Sequence, residues 1–271
     1  MKINKKDSII ELVSQVPWNT TTIMVWVHGN ELSWVEAISE IISDLQPSSW
    51  NVYIIFANLK ALALWTRYYE KNMNRCFLPE STYDTYEDMR VKELLPYLRE
   101  SDYLLDIHNT LNPWNSIPFI ISEHRELSQL FDVQFSVSWF DILHPWWSDS
   151  FMNAIWKKWI CLEAGSIFDR QWKQRAKLAI ENFLRFTRNI NWDIYTYKNK
   201  KYIVFDTIYT NTSLDYWFEK EFLDFEKVFS GQLIAYDWER KIIAQSEGYI
   251  LFPYIPNKIW DECFCLGKEV V

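Results

Sequence analysis

Apolar residues along the first two thirds of the chain form short continuous runs that alternate with segments of helical spacing. The continuous runs predict buried strands at residues 22–27, 52–57, 103–107 and 159–163. Apolar residues three or four positions apart predict helices over residues 34–45, 82–100 and 168–188, with Pro96 expected to bend the second. Met89 and Leu178 are among the residues expected on buried helix faces. Alternating strands and helices indicate an α/β fold with a mostly parallel, mixed sheet flanked by helices.

The last third of the chain has a different pattern, with shorter apolar runs. These runs predict short strands at residues 202–205, 232–236, 242–245 and 249–252. We therefore expect two domains, a larger one over residues 1–193 and a small C-terminal β domain over residues 194–271.

Charge and cysteine content narrow the class of protein. The formal net charge is -8, with acidic and basic residues interleaved, which argues against nucleic acid as a partner. No signal peptide is evident, and no segment approaches the roughly 18 apolar residues that a membrane span needs. Four cysteines without Cys-x-x-Cys spacing suggest neither a disulfide scaffold nor a zinc ribbon. We expect a cytoplasmic protein with a small-molecule partner, and the sequence leaves its oligomeric state open.

Glycine is rare and tryptophan abundant. The chain has 5 glycines and 16 tryptophans, whereas an average share of about 7% would give about 19 glycines. Several tryptophans occupy turn-like contexts, such as Pro17-Trp18-Asn19, where glycine is the usual residue. Some bacteria read the codon UGA as glycine. We interpret most of the tryptophans at positions 18, 26, 34, 114, 156, 159, 192, 238 and 260 as residues that such a UGA codon encodes, so that glycine is intended there. The alternative is an aromatic-rich binding surface.

Three candidate metal ligands follow predicted strands. His28 and Glu31 come after the first strand, and His108 comes after the third. In an open α/β sheet, sites form at the carboxyl ends of the strands. Two imidazoles and one carboxylate leave a position for water, as in catalytic zinc sites. A His-x-x-Glu pair alone arises often by chance. The prediction therefore rests on the placement of all three residues at the same edge of the sheet. Asp106, on the same strand face as His108, could assist that ligand or be structural.

Four sequence motifs occur in a characteristic order. They are Val27-His28-Gly29-Asn30-Glu31, Arg67 followed by Asn74-Arg75-Cys76-Phe77, Asp106-Ile107-His108-Asn109-Thr110, and Leu162-Glu163-Ala164-Gly165. Their order and spacing resemble the succinylglutamate desuccinylase and aspartoacylase family, whose fold is that of zinc carboxypeptidases. The C-terminal part is similar to the β domain of that family.

The resemblance implies a role for each of seven residues. His28, Glu31 and His108 would bind Zn²⁺, Glu163 would be the general base, Arg67 would face the oxyanion, and Asn74 and Arg75 would bind a substrate carboxylate. The implied enzyme is a zinc-dependent amidohydrolase that cleaves the N-acyl bond of an acylated amino acid. Two alternatives remain, a zinc carboxypeptidase acting on a peptide and a non-catalytic aromatic-rich binding protein.

Most of these residues also have simpler interpretations. Arg67 and Arg75 could be surface ion-pair residues, and Glu163 could cap the helix that follows it. His124 and His144 belong to no motif and are expected to be ordinary surface or loop histidines. The family usually has glycine where this chain has tryptophan at positions 26, 34, 156 and 159. No counterpart of the family's substrate-contacting tyrosine is evident in the C-terminal part.

Overall fold

The computed structural model describes residues 2–6, 8–14, 18–31, 34–42, 50–77, 84–110, 117–140, 145–188 and 193–270. Fifteen strands are present in these ranges: β1 (Lys2–Lys6), β2 (Ile9–Val13), β3 (Thr20–Val25), β4 (Asn51–Phe56), β5 (Tyr103–Thr110), β6 (Phe119–Ile121), β7 (Phe135–Ser138), β8 (Lys158–Ser166), β9 (Lys201–Thr210), β10 (Tyr216–Phe218), β11 (Glu226–Val228), β12 (Leu233–Asp237), β13 (Arg240–Ile243), β14 (Gly248–Leu251) and β15 (Glu262–Val270). The helices are α1 (Trp34–Ile42), α2 (Leu59–Leu64), α3 (Tyr86–Glu100), α4 (Arg125–Ser128), α5 (Ser148–Ala154) and α6 (Trp172–Phe186), with a 3-10 turn at Met73–Arg75.

Twelve of the strands form one mixed sheet in the order β1-β2-β4-β3-β5-β8-β6-β7-β9-β15-β14-β11. Its centre is mainly parallel, because β4, β3, β5 and β8 run in one direction. Antiparallel strands extend it on both sides. The predicted α/β fold with a mostly parallel mixed sheet is therefore confirmed.

Central strands are apolar on both faces because both faces are covered. In β3, Met24 belongs to one buried cluster, whereas Ile23 and Val25 belong to the cluster on the other face. Helix α3 contributes Leu94 to the first cluster. This two-sided burial explains the continuous apolar runs of the sequence.

Two helices begin later than the sequence pattern predicts. Thr85 caps α3 reciprocally with Asp88, so the helix starts at Tyr86 and continues past Pro96 to Glu100. Helix α6 covers Trp172–Phe186, within the predicted 168–188. The burial predicted for Met89 and Leu178 is wrong.

Met89 is 51% exposed and Leu178 is 48% exposed. Both lie on helix sides turned away from the sheet. In α6 the buried face includes Ala176, Ile180 and Phe183, which leaves Leu178 in solvent.

The C-terminal strands have two arrangements. Strands β9, β15, β14 and β11 continue the large sheet, since β9 pairs with β7. Strands β10, β12 and β13 form a separate three-stranded sheet. The division into residues 1–193 and 194–271 stays a prediction. None of the helices in the described ranges combines the length and apolarity that crossing a bilayer requires.

Left-handed backbone conformations coincide with tryptophans. Among the described residues, nine non-glycine residues have positive φ, and six of them are Trp26, Trp65, Trp139, Trp156, Trp238 and Trp260. Four of these were singled out from the sequence, at positions 26, 156, 238 and 260.

The other singled-out positions differ. Trp18 and Trp159 are not left-handed. Trp34 is the first residue of α1, and positions 114 and 192 lie outside the described ranges, as does His144.

Candidate metal centre

Strand register brings the candidate ligands to one edge of the sheet. In β3, Val25 pairs with Ile107 of β5, and the next residue of β5 is His108. The chain leaves β3 through the left-handed Trp26, and His28 and Glu31 follow in the loop. These three side chains are almost completely buried.

Gly29 lets this loop pass close to α2. A Cβ atom on Gly29 would lie 2.1 Å from the backbone carbon of Ala61, closer than any side chain can approach. The amide of Gly29 donates to the carbonyl oxygen of Arg67 at 3.3 Å, which fixes the loop beside that residue. Glycine is required here for space rather than for φ.

Three potential ligand atoms converge within this loop and β5. His28 Nδ1 lies 2.7 Å from Glu31 Oε1, and His108 Nδ1 lies 3.2 Å from Glu31 Oε2. One potential ligand atom from each of these three residues lies within 4.8 Å of the ligand atoms of the other two. Glu31 Oε2 is buried and makes no hydrogen bond to the described residues. Two ring nitrogens and a buried carboxylate that face one another fit a bound cation.

The other ring nitrogens lie near side-chain oxygens. His28 Nε2 lies 3.1 Å from Asn72 Oδ1, and His108 Nε2 lies 3.3 Å from Asp106 Oδ1. If each Nε2 carries the proton, each Nδ1 presents its lone pair toward Glu31. Metal-binding histidines are usually oriented in this way. Asp106 thus lies beside the ring nitrogen of His108 that points away from Glu31.

Burial and charge set the protonation of the cluster. Burial, with the positive charge of Arg67, lowers the pKa of His28 to about 4. Burial acts to raise the pKa of Glu31, but the two histidines outweigh it and hold that pKa well below its usual range. For His108, burial acts to lower the pKa, but the carboxylates of Asp106 and Glu31 raise it well above normal. The carboxylate is therefore ionised, and its negative charge favours a cation at this position.

Glu163 lies next to the cluster on the neighbouring strand. In the register of β5 and β8, Glu163 pairs with His108. Its side chain is half-buried. Burial, supported by the charge of Glu31 and opposed by His108 and Arg67, raises the pKa of Glu163 to about 7. A carboxyl group of this acidity can both accept and release a proton near neutral pH.

Arg67 is near the cluster and partly in solvent. Its Nη1 lies 3.8 Å from Glu31 Oε1, and 53% of its side chain is exposed. The distance and exposure leave the guanidinium able to contact a further group beside Glu31.

Arg75 and Asn74 belong to the 3-10 turn. Arg75 Nη1 donates to the carbonyl oxygen of Asn74 at 3.0 Å, and Nη2 lies 3.7 Å from Glu262 Oε1. The guanidinium also lies over the rings of Trp146 and Trp147. The side-chain oxygen of Asn74 is buried without a hydrogen-bond partner among the described residues. Both side chains thus retain capacity to bind a polar group.

Three residues near the candidate metal centre were not predicted from the sequence. Asn72 contacts His28 Nε2 through its Oδ1, Ser148 donates to Asp106, and Glu262 pairs with Arg75. Asn72 stands two positions before Asn74, so its polar character beside a motif was a usable signal. Ser148 and Glu262 come from distant parts of the chain and have no local signal.

The sequence matches a known family over much of its length. Residues 17–190 match the succinylglutamate desuccinylase/aspartoacylase catalytic domain. A probable aspartoacylase from Nostoc sp. is 34% identical over 104 residues, which are 34% of this chain and 35% of that protein. Another probable aspartoacylase, from Trichodesmium erythraeum, is 23% identical over 216 residues, which are 68% of this chain and 73% of that protein.

Solved structures show the same fold. The crystal structure of succinylglutamate desuccinylase from Vibrio cholerae superposes with a TM-score of 0.78 at 16% sequence identity. The superposition covers 97% of this chain and 85% of that one. At this identity the likeness concerns the fold.

Proposed function

Because the chain belongs to the succinylglutamate desuccinylase and aspartoacylase family, we propose that it is a zinc-dependent amidohydrolase. The reaction is hydrolysis of the N-acyl bond of an acylated amino acid, which releases a carboxylic acid and a free amine. Family membership itself indicates a hydrolase of acylated amino acids. The observation that best supports the finer proposal is the buried convergence of His28, Glu31 and His108.

The donor set suits zinc. Two imidazole nitrogens and one carboxylate are the protein ligands of many catalytic zinc sites. A zinc ion held by His28, Glu31 and His108 would supply a water of lowered pKa and would polarise the scissile carbonyl. Asn72 and Asp106, whose Oδ1 atoms lie 3.1 Å and 3.3 Å from the Nε2 atoms of His28 and His108, would hold the two imidazoles in orientation.

Glu163 is the proposed proton carrier. Its carboxylate would take a proton from the attacking water and deliver it to the nitrogen of the departing amine. A pKa raised to about 7 by burial matches both steps. Arg67, with its guanidinium beside Glu31, would face the negative oxygen that develops on the attacked carbonyl.

Asn74 and Arg75 are proposed to bind the carboxylate of the amino acid. The planar guanidinium of Arg75 can form paired hydrogen bonds with a carboxylate. Glu262 and the two nearby indoles contact this guanidinium. The buried amide of Asn74 offers a second polar group on the same turn.

Metal analysis and a substrate panel test the proposal together. The purified chain should carry about one zinc ion, and His108→Ala should lose it while His124→Ala, a histidine outside the cluster, should retain it. N-acyl amino acids should be hydrolysed faster than short peptides. Faster peptide hydrolysis would indicate the carboxypeptidase alternative, and a chain without stoichiometric metal would contradict the zinc proposal.

A further inference from the structure

Two helices end in a motif that normally contains glycine, and each has tryptophan there. After α5, the amide of Trp156 donates to Asn153 O and that of Lys157 to Met152 O, both at 3.0 Å. This pair of hydrogen bonds defines a Schellman motif, whose left-handed residue is usually glycine. Trp156 occupies that position with φ of 63°.

The end of α2 repeats the arrangement. The amide of Trp65 donates to Leu62 O, and the next amide, of Thr66, donates to Ala61 O. Trp65 has φ of 58°. Two independent helix ends therefore place tryptophan where the backbone favours glycine.

A hairpin shows the same substitution. Strands β12 and β13 pair Asp237 with Arg240, so Trp238 and Glu239 form a two-residue loop. Trp238 has φ of 57°. Two-residue hairpin loops need positive φ, and glycine or asparagine supplies it.

Packing offers no reason for five of these six indoles. Trp65, Trp139, Trp156, Trp238 and Trp260 are each at least 50% exposed, and Trp156 is 94% exposed. The sixth, Trp26, is buried and packs against Phe56, with ring centroids 5.2 Å apart, but its indole nitrogen has no hydrogen-bond partner in the described part of the chain. A bulky residue at positive φ is an outlier, and six in one chain need a common cause.

We infer that the native polypeptide has glycine at positions 26, 65, 139, 156, 238 and 260, because UGA codons in its gene are read as glycine. UGA is a stop codon in the standard code. If the UGA codons of such a gene are read as tryptophan instead of glycine, the resulting sequence has the observed excess of tryptophan and shortage of glycine. The site is affected too, because Trp26 is the residue through which the chain turns from β3 toward His28. Tryptophans in regular structure, such as Trp217 stacked on Tyr236, do not share the pattern.

The codons and the native peptides test this inference. The six left-handed positions should be encoded by UGA, with UGG at Trp217 as the matched control. Peptides from protein purified from its own cells should contain glycine at the six positions by mass spectrometry. UGG at any of the six positions overturns the assignment there, and tryptophan in the native peptides overturns the inference altogether.

A second, independent observation concerns a buried serine beside the metal ligands. Ser148, the first residue of α5, donates its hydroxyl proton to Asp106 Oδ2 at 2.5 Å. The other oxygen, Asp106 Oδ1, lies 3.3 Å from His108 Nε2. Ser148, Asp106 and His108 are all nearly inaccessible to solvent. The hydroxyl thus connects a helix to a ligand on β5 through one carboxylate.

The geometry assigns Ser148 the role of a positioning residue for His108, an assignment that rests on the proposed metal site. By occupying Oδ2, the hydroxyl fixes the plane of the Asp106 carboxylate and leaves Oδ1 for the imidazole. With a metal ion bound, the imidazole would keep its proton on Nε2 and direct its lone pair from Nδ1, the atom that faces Glu31. Without the hydroxyl, the carboxylate can rotate and the ring loses its fixed orientation.

Zinc affinity tests this role without an activity assay. Competition with a chromophoric chelator should show Ser148→Ala binding zinc about 10- to 100-fold more weakly. Ser148→Thr, which keeps the hydroxyl, should restore affinity, and Ser136→Ala, a buried serine on β7, should leave it unchanged. Wild-type affinity in Ser148→Ala would overturn this role alone. Failure of the wild-type chain to bind zinc would overturn both this role and the proposed function.

Discussion

Replacing Trp156 with glycine should stabilise a chain that is produced with tryptophan at this position. Trp156 has φ of 63° and is 94% exposed, so its indole contributes little buried apolar area. A left-handed conformation costs a non-glycine residue about 1 to 2 kcal/mol. Glycine loses more backbone entropy on folding than other residues, which lowers the free energy of unfolding by about 0.5 to 1 kcal/mol. The free energy of unfolding should therefore rise by about 0.5 to 1 kcal/mol in Trp156→Gly.

Combining the exposed left-handed sites should enlarge the effect. Glycine at positions 65, 139, 156, 238 and 260 should add about 2.5 to 5 kcal/mol if the sites act independently. At roughly 2 to 4 °C per kcal/mol for a domain of this size, Tm should rise by about 5 to 20 °C. Thermal unfolding followed by circular dichroism, with urea unfolding as a second measure, gives both quantities.

Trp18→Gly is the matched control for this series. Trp18 is 80% exposed but is not left-handed, so glycine relieves no backbone strain there. Its Tm should stay the same or fall slightly. If Trp18→Gly and Trp156→Gly shifted Tm equally, or if the fivefold variant unfolded at a lower temperature than its parent, the argument from φ would be refuted.

Four further substitutions test the site and the fold. Glu163→Gln should retain zinc while kcat falls about 100-fold or more, because an amide cannot accept the proton. Metal analysis and steady-state kinetics measure both quantities, and unchanged activity would contradict the proposed role. Arg75→Ala should mainly raise KM for N-acyl amino acids, since its guanidinium is proposed to bind the substrate rather than transfer protons; a fall in kcat alone would be the contrary result. Gly29→Ala should lower both Tm and zinc content, because its Cβ would lie 2.1 Å from the backbone of Ala61; a wild-type Tm would show that the loop can move. Asp237→Asn should lower the free energy of unfolding at pH 7 by about 1 to 3 kcal/mol. Burial acts to raise the pKa of this carboxyl, but four hydrogen bonds outweigh it and lower that pKa. The stabilisation is therefore present above the unfolded pKa and lost as pH falls through the folded pKa, so urea unfolding should show the two chains converging below about pH 4.

The sequence was sufficient for features that depend on local pattern. Strands and helices alternate as predicted, and the family expected from the motifs is confirmed. His28, Glu31 and His108 converge because parallel strands end at the same edge, a rule that requires only the strands to be recognised. Their roles, together with zinc and a cytoplasmic location, stay predictions.

Features that depend on distant contacts were not predictable. Ser148 contacts Asp106, which is 42 residues away in the sequence, and no local pattern indicates such a contact. The apolar character of Met89 and Leu178 suggested burial, but which face of a helix meets the sheet is decided by tertiary packing. Likewise, short apolar runs predicted strands near the C-terminus, but not that β9 would pair with β7 and extend the large sheet.

The amide oxygen of Asn72 serves two groups at once. It lies 3.1 Å from His28 Nε2 and accepts a hydrogen bond from the backbone amide of Asn74 at 3.0 Å. One atom therefore joins a proposed metal ligand to the turn proposed to hold the substrate. We therefore expect a movement of this turn to change the orientation of the imidazole. By thermodynamic reciprocity, a metal ion that tightens substrate binding through Asn72 would itself be held more tightly, by the same factor, once substrate is bound.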